Sequence, residues 1–182
     1  MFARIVAYAE ETLIAAGRGA RRGEQPAIAF VDLSGYTELT ATAGDERAAQ
    51  FSSALQTLAA AAAAGHRGRV VKLLGDGVML RYPSIVDAID SVRELMASIV
   101  EAGLPSAHAG IAAGSMVVRD GDVYGHTVNL AARVASHAQA GDLLVAAEGA
   151  NELPVGLGLE VAGTAVLKGI ARPVRLLRVP LD

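Results

Sequence analysis

The sequence predicts an α+β domain with a mostly antiparallel sheet, and three observations lead to that prediction. Hydrophobic residues make up 52% of the 182 residues and charged residues 19%, a composition suited to a packed core. Short β-rich runs alternate with longer segments of helical periodicity. Two of the β-rich runs are joined by Gly75-Asp76-Gly77, a turn typical of a hairpin between antiparallel strands.

The elements follow one another in a regular order from residue 27 onward. An apolar run predicts a strand, two segments with apolar stripes predict helices, and the hairpin supplies two more strands. Pro83 opens a further helix, a long strand and a helix follow, and three short strands end the chain. The predicted bounds are 27–33, 34–43, 45–65, 69–74, 78–82, a helix from Pro83, 107–118, 127–137, 143–146, 161–167 and 174–179.

The order strand, helix, helix, strand, strand, helix, strand is that of a ferredoxin-like split βαβ core, here with an αβ extension and flanking helices. The first 26 residues form a separate unit, with a helical period over residues 1–16 and a glycine- and arginine-rich linker over residues 17–26. We predict a boundary that divides 1–26 from a domain at 27–182. The first helix either packs on the domain or serves dimerisation or signalling.

Composition and charge exclude several classes of function. The net charge of −3 and the pI of about 5.8 leave no basic surface for nucleic acid. Cysteine is absent, which excludes disulfides and thiol chemistry. The apolar runs fall well short of the roughly 20 residues of a membrane-spanning helix. We therefore expect a soluble, cytoplasmic protein that binds neither nucleic acid nor membrane.

Two aspartates stand where predicted strands end. Asp32 closes the first strand and Asp76 lies in the hairpin between the second and third. If those strands are neighbours, the two carboxylates converge and offer hard oxygen ligands, which suit Mg²⁺ or Mn²⁺. Two such ions can activate a hydroxyl and stabilise a leaving phosphate. Taken singly, Asp32 is better explained as a helix N-cap and Asp76 as a turn residue, whereas the two together favour a metal site.

Two further groups of residues suit a phosphorylated ligand. Ser34-Gly35-Tyr36-Thr37 follows Asp32 and is predicted to open a helix, where free backbone amides bind phosphate or simply form a cap. Asn129 and Arg133 are four residues apart in a predicted helix and share one face. A guanidinium suits a phosphoryl group and an amide suits a ribose oxygen. The alternative for this pair is a solvated helix face.

Three segments, FVDLSGYTELT, VVKLLGDGVML and GDVYGHTVNLAARV, resemble the signature segments of class III adenylate and guanylate cyclases, in the family's order. The resemblance covers residues 27–179. It implies a cyclase fold and the conversion of ATP to 3′,5′-cyclic AMP and pyrophosphate. It also implies that Asp32, Asp76 and the carbonyl of Leu33 bind two divalent ions. By the same resemblance Asn129 orients the ribose and Arg133 stabilises charge on the α-phosphate.

The resemblance also assigns the purine. Lys72 and Asp122 match the family's purine-selecting pair, in the form that favours adenine over guanine, although a register slip would exchange Asp122 for Asp120. Lys168 matches a lysine that reaches the triphosphate. His108 stands where many members carry an arginine that touches the phosphates. A neutral imidazole contributes less there than a fixed cation, or the histidine is an ordinary strand residue.

In this family the metal-binding aspartates of one subunit meet the nucleotide-binding residues of the other, which here are Lys72, Asp122, Asn129 and Arg133. The resemblance therefore implies a head-to-tail homodimer with two shared sites. The rival interpretations are a nucleotide-binding regulatory module without catalysis, and guanylate cyclase activity. A diguanylate cyclase is excluded, because its G-G-D/E-E-F loop is absent from the hairpin.

Overall fold

A computed structural model describes residues 25–36, 41, 44–148, 153 and 156–181. The described chain contains nine strands and three helices of more than one turn. The strands are β1 (Ala27–Leu33), β2 (Arg69–Leu73), β3 (Gly77–Tyr82), β4 (Ala107–Ala113), β5 (Val117–Arg119), β6 (Asp122–Tyr124), β7 (Leu143–Ala146), β8 (Glu160–Ala165) and β9 (Val174–Arg178). The helices are α1 (Asp45–Gly65), α2 (Ile85–Glu101) and α3 (His126–His137).

Seven strands form one sheet in the order β2-β3-β1-β4-β7-β9-β8, and β5 and β6 form a separate ribbon. All neighbours in the large sheet are antiparallel except β4 and β7, which are parallel. The predicted α+β fold with a mostly antiparallel sheet is confirmed. Strand β1 lies between β3 and β4, so the residues at its end are surrounded by backbone from both sides.

The two faces of the sheet are covered by different helices. Along β1, Ala29 and Val31 pack into the core beneath α1 and α2, whereas Ile28 and Phe30 pack into the core beneath α3. Alternate residues of a strand point to opposite faces. Asp32 therefore lies on the α3 face, one position beyond the apolar residues.

Helix α3 approaches the sheet closely because of a glycine in β4. A Cβ atom on Gly110 would overlap the backbone of Ala135 in α3. At the other end of the helix, the hydroxyl of Thr127 lies against Gly114 and donates to the carbonyl of Ser115 at 2.8 Å. The helix thus runs antiparallel to β4, with its first turn above the far end of that strand.

The sheet has two distinct ends, which we name the Asp32 end and the Ala27 end after the terminal positions of β1. Cross-strand pairing places the start of β4 and the start of β7 at the Asp32 end. The connection from β8 to β9, residues 166–173, lies at the Ala27 end. Thr127 and Gly114 also lie there, since the amide of Gly114 donates to the carbonyl of Pro26.

Some predicted elements were wrong in detail. The strand predicted at 107–118 ends at Ala113, because the backbone turns at Gly114 (φ 151°) and continues as β5 in the ribbon. The turn at Asp120 and Gly121 has two positive φ angles, as tight hairpins do, and β6 after it was not predicted. Helix α2 begins at Ile85 after a Ser84 cap, two residues later than predicted from Pro83.

The predicted helix at 1–16, most of its linker and most of the helix at 34–43 lie outside the described residues. The proposed boundary between 1–26 and 27–182 therefore stays a prediction. Within the described part of the chain, no helix is long and apolar enough to cross a membrane.

Candidate active site

The two predicted metal-binding aspartates lie at the same end of the sheet, on adjacent segments. Asp32 pairs across the strands with Gly77, the residue after Asp76. The amide of Leu33 donates to the carbonyl of Asp76 at 3.0 Å. A Cβ atom on Gly77 would overlap Oδ1 of Asp32. The missing side chain at position 77 is therefore what makes room for the Asp32 carboxylate beside the hairpin.

The pKa of Asp32 reflects its burial and the two titratable groups beside it. Burial raises the pKa of Asp32 above its usual value, His108 lowers it, and the negative charge of Asp76 raises it again. His108 lies directly opposite Asp32 on β4. A half-buried carboxylate with a second one nearby favours a bound cation, because each negative charge disfavours the other.

The residues present fit divalent ions of the magnesium type. In the described residues no group of three or more histidine, aspartate or glutamate side chains converges on one point, so the structure holds no cage made of protein side chains alone. Mg²⁺ is commonly held by one or two carboxylates together with water and substrate phosphates. Asp32 and Asp76, together with Leu33, which also lines the neighbouring cleft, provide that kind of partial ligand set.

A cleft of about 450 Å³ opens beside the aspartates. Its lining residues come from the end of β1, the hairpin, the start of β4 and the segment after α3: Leu33, Ser34, Gly35, Tyr36, Asp76, His108, Ala138 and Ala140. Ser34 Oγ lies 3.0 Å from Nδ1 of His108. The turn predicted to bind phosphate therefore borders the carboxylates as far as Tyr36, whereas Thr37 lies outside the described residues.

Lys72 and Asp122 form an ion pair. Lys72 Nζ lies 2.5 Å from Asp122 Oδ2, and this hydrogen bond raises the pKa of the lysine and lowers that of the aspartate. The amide of Val123 donates to Asp122 Oδ1 at 2.9 Å, and the hydroxyl of Tyr124 donates to Oδ2 at 3.3 Å. Asp120 is exposed, and its carboxylate lies 3.8 Å from the neighbouring Arg119. Asp122, and not Asp120, is the partner of Lys72.

Asn129 and Arg133 project from the exposed face of α3, opposite the buried Leu130 and Val134. Within the described chain neither side chain makes a hydrogen bond or an ion pair, and neither residue borders the cleft beside Asp32. The predicted shared face is present, but the single chain does not bring it against the carboxylates that border the cleft.

Lys168 is exposed in the connection between β8 and β9, at the Ala27 end of the sheet. Five residues of β1 separate that end from Asp32, or about 17 Å along the strand. Asn129 also lies toward that end, two residues after Thr127 in α3. The candidate residues of one chain thus form two groups, with Lys168 and Asn129 distant from Asp32 and Asp76.

Two residues of the site were not predicted from the sequence. Tyr124 follows Asp122 by two positions in β6, and the period-two alternation of a strand would have placed both side chains on one face. Gly77 follows Asp76, and its role becomes visible only once β1 and β3 are known to be neighbours. A glycine inside a strand pattern is a signal of close approach by another group.

A mostly antiparallel α+β domain with two aspartates at a hairpin and a separate lysine–aspartate pair has the arrangement that the resemblance to nucleotidyl cyclases implies. No protein-family model matches the chain. Individual relatives do match. The pH-sensitive adenylate cyclase MT1302 of Mycobacterium tuberculosis is 34% identical over 91% of this chain and 43% of its own length. An adenylate cyclase of Streptomyces coelicolor is 36% identical over 70% of this chain and 34% of its own length.

A solved structure agrees with these relatives. The crystal structure of an adenylate/guanylate cyclase/hydrolase from Silicibacter pomeroyi has a TM-score of 0.68 and 28% identity, covering 86% of this chain and 97% of that one. The chain belongs to the class III adenylate and guanylate cyclase family and has the fold of its catalytic domain. It spans less than half the length of the two curated relatives described above.

Proposed function

We propose that this chain is the catalytic domain of an adenylate cyclase, which converts ATP to 3′,5′-cyclic AMP and pyrophosphate as a homodimer with two divalent ions per site. The observation that carries the proposal is the pairing of Lys72 with Asp122 at 2.5 Å in the same domain as the adjacent Asp32 and Asp76. The names of the relatives support the same activity.

The lysine–aspartate pair suits adenine. A lysine donates to N1 of adenine, and an aspartate accepts from the 6-amino group. Guanine presents a donor at position 1 and an acceptor at position 6, so each protein group would face a like group. A donor and an acceptor that are matched to adenine are both opposed by guanine, which disfavours binding of that base. ATP is therefore the proposed substrate, and GTP the weaker one.

Asp32, Asp76 and the carbonyl of Leu33 are the proposed ligands of two Mg²⁺ or Mn²⁺ ions. Such ions, when bound, lower the pKa of the ribose 3′-hydroxyl and neutralise charge on the triphosphate. The space left by Gly77 for the Asp32 carboxylate is the feature of this chain that supports the assignment.

The remaining groups position the nucleotide. Asn129 orients the ribose, and Arg133 stabilises the charge that develops on the α-phosphate. The 34–37 turn, His108 and Lys168 face the triphosphate. The 3′-oxygen attacks the α-phosphorus, the bond to the bridging oxygen of the β-phosphate breaks, and pyrophosphate leaves. Positioning and electrostatics account for most of the catalysis in reactions of this kind.

The separation of the two groups of residues supports a homodimer. Asn129 and Lys168 lie toward the Ala27 end, while Asp32 and Asp76 lie at the other end. In a head-to-tail pair with two-fold symmetry, each protomer's Asp32 end meets the partner's α3 face, and two complete sites form. The greater length of the curated relatives also leaves room for a sensor domain outside this chain.

One observation favours a second candidate, a nucleotide-binding regulatory module that has lost catalysis. His108 stands where many family members have an arginine, and its Nδ1 is engaged with the Ser34 hydroxyl. Without that cation, the site stabilises the negative charge of the transition state less, and catalysis is weakened more than binding.

The test is product analysis. Purified protein whose dimeric state is verified by light scattering is incubated with Mn²⁺ and either ATP or GTP, and the products are separated by chromatography. We expect 3′,5′-cyclic AMP from ATP and much less cyclic GMP from GTP, with no product from Asp32→Ala. Nucleotide binding without product, from a verified dimer, would favour the regulatory module. Faster turnover of GTP would identify a guanylate cyclase.

A further inference from the structure

Helix α1 contacts both of the segments that carry the aspartates. The hydroxyl of Tyr36, in the turn after Asp32, donates to the carbonyl of Ala48 at 2.8 Å. The hydroxyl of Ser52 donates to the carbonyl of Gly75, beside Asp76, at 2.6 Å. Each of these hydrogen bonds joins α1 to a different segment, and the two helix residues involved, Ala48 and Ser52, are one turn apart.

The two contacts belong to a single turn of the helix. In an α-helix the carbonyl of residue 48 accepts from the amide of residue 52. The hydrogen bond to the turn after β1 and the hydrogen bond to the hairpin therefore involve one hydrogen-bonded pair of the helix, Ala48 and Ser52. A displacement of this turn changes the position of both segments together, so α1 sets the spacing between them as well as covering the sheet.

The hairpin needs such support. Gly75 has a positive φ of 79°, and Leu74 and Gly75 are both exposed, so little packing restrains the tip. The turn is closed by the amide of Leu74, which donates to the carbonyl of Gly77 at 2.8 Å. On the side of α1, the bond from Ser52 holds the peptide that leads directly into Asp76.

We propose that Ser52 is a positioning residue that holds the Gly75–Asp76 peptide at the distance from Asp32 that two divalent ions require. This inference rests on the proposed function, since it concerns the metal ligands of that site. Ser52 does not touch substrate or metal. It acts through the backbone of Gly75. The hydrogen bond from Tyr36 to Ala48 holds the segment that follows Asp32 to the same turn of α1.

The expected effect is that of one ordinary hydrogen bond. Loss of the Ser52 hydroxyl frees the hairpin tip and weakens divalent-ion binding by about threefold to tenfold. The turnover at saturating metal changes little, because a bound ion restores the geometry. The global fold is also retained, because the bond lies at the surface.

The test compares Ser52→Ala with Ser53→Ala, a change of the same kind at the next residue, whose side chain is exposed on the outer face of α1. Amide hydrogen exchange of residues 74–77 is measured in the metal-free protein. Mn²⁺ binding is measured by electron paramagnetic resonance with an ATP analogue that cannot cyclise. We expect faster exchange and weaker Mn²⁺ binding in Ser52→Ala alone, with both restored in Ser52→Thr.

Two failures are distinguishable. If Ser52→Ala and Ser53→Ala are identical in exchange at 74–77, or if exchange rises while Mn²⁺ affinity is unchanged, Ser52 is not a positioning residue. If the unmodified protein itself binds no Mn²⁺ in the presence of the nucleotide analogue, the proposed function fails, and the metal role of Ser52 fails with it.

Discussion

Lys72 Nζ and Asp122 Oδ2 lie 2.5 Å apart, although 50 residues separate them in the chain. Lys72 lies in β2, the edge strand of the large sheet, and Asp122 lies in β6 of the separate ribbon. The pair therefore joins the large sheet to the ribbon. Each group satisfies the other while no base is present. Under the proposed function, a bound purine replaces this bond with one hydrogen bond to Lys72 and one to Asp122.

Lys72→Glu is expected to lower kcat/KM for ATP on the order of 100-fold, because it removes the donor and places a second carboxylate against Asp122. The matched control is Arg69→Glu, a charge reversal at an exposed residue of the same strand. Initial rates with ATP measure both. Equal losses in the two variants would remove Lys72 from the base pocket.

Complementation tests the shared sites. Asp32→Ala and Arg133→Ala are each expected to be inactive as homodimers, since every site then lacks one group. Mixing them in equal amounts yields heterodimers with one complete site, and random pairing gives about a quarter of the original activity. The measurement is cyclic AMP formation before and after mixing. A mixture as inactive as its parts would contradict the head-to-tail arrangement.

Gly77→Ala is expected to fold but to bind divalent ions about 10-fold to 100-fold more weakly, because a methyl group displaces the Asp32 carboxylate. Gly65→Ala is the control, since a Cβ there would meet no atom within 4 Å. The half-saturating Mn²⁺ concentration is compared for the two variants, with circular dichroism as the check on folding. An unchanged value in Gly77→Ala would contradict the role of Asp32.

Gly110→Ala is expected to destabilise the fold by about 1–3 kcal/mol or more, because the added methyl group would overlap the backbone of α3 at Ala135. A backbone cannot rotate away as a side chain can, so the helix must move outward. The free energy of unfolding in urea measures the effect, again with Gly65→Ala as the control. Similar stabilities for the two variants would show that α3 tolerates the shift.

The buried hydroxyl of Tyr82 leads us to expect that the free energy of unfolding falls at alkaline pH. This hydroxyl lies 2.8 Å from that of Ser91, and burial raises the pKa of Tyr82 to about 12. The unfolded state loses this proton near pH 10 while the folded state keeps it, so stability falls as the pH rises from about 10 to 12.

The control for this prediction is Tyr82→Phe, which has no proton to lose. Its stability is expected to start lower, because Ser91 loses its partner, and to fall less steeply over the same pH range. Unfolding midpoints at intervals between pH 9 and 12 provide the comparison. Parallel curves would show that Tyr82 titrates normally.

Much of the fold was predictable because the signals were local. The bounds of α1 and of β1 follow from unbroken periodic runs and clear turn residues, and the structure agrees with both. The break after Ala113 was missed because Gly114 and Ser115 interrupt an otherwise continuous apolar pattern only briefly. The ribbon that results depends on pairing between β5 and β6, a contact that periodicity does not reveal.

The site was predictable only in part, for a similar reason. The resemblance named Lys72 and Asp122, and the structure brings them into contact. The bond from Ser52 to Gly75 was not predictable, because it joins a helix surface to a turn 23 residues away. A residue that supports a site only through its contact with another residue has no characteristic spacing in the sequence.

The opposite locations of Asp32 and Lys168 along the sheet have a consequence for control, given the proposed function. A solitary copy possesses every chemical group that the reaction requires and still cannot gather them around one nucleotide. At low abundance, output would then grow with the square of the protein concentration. Any input that modestly tightens or loosens self-association would be amplified into a steeper change in the amount of messenger produced.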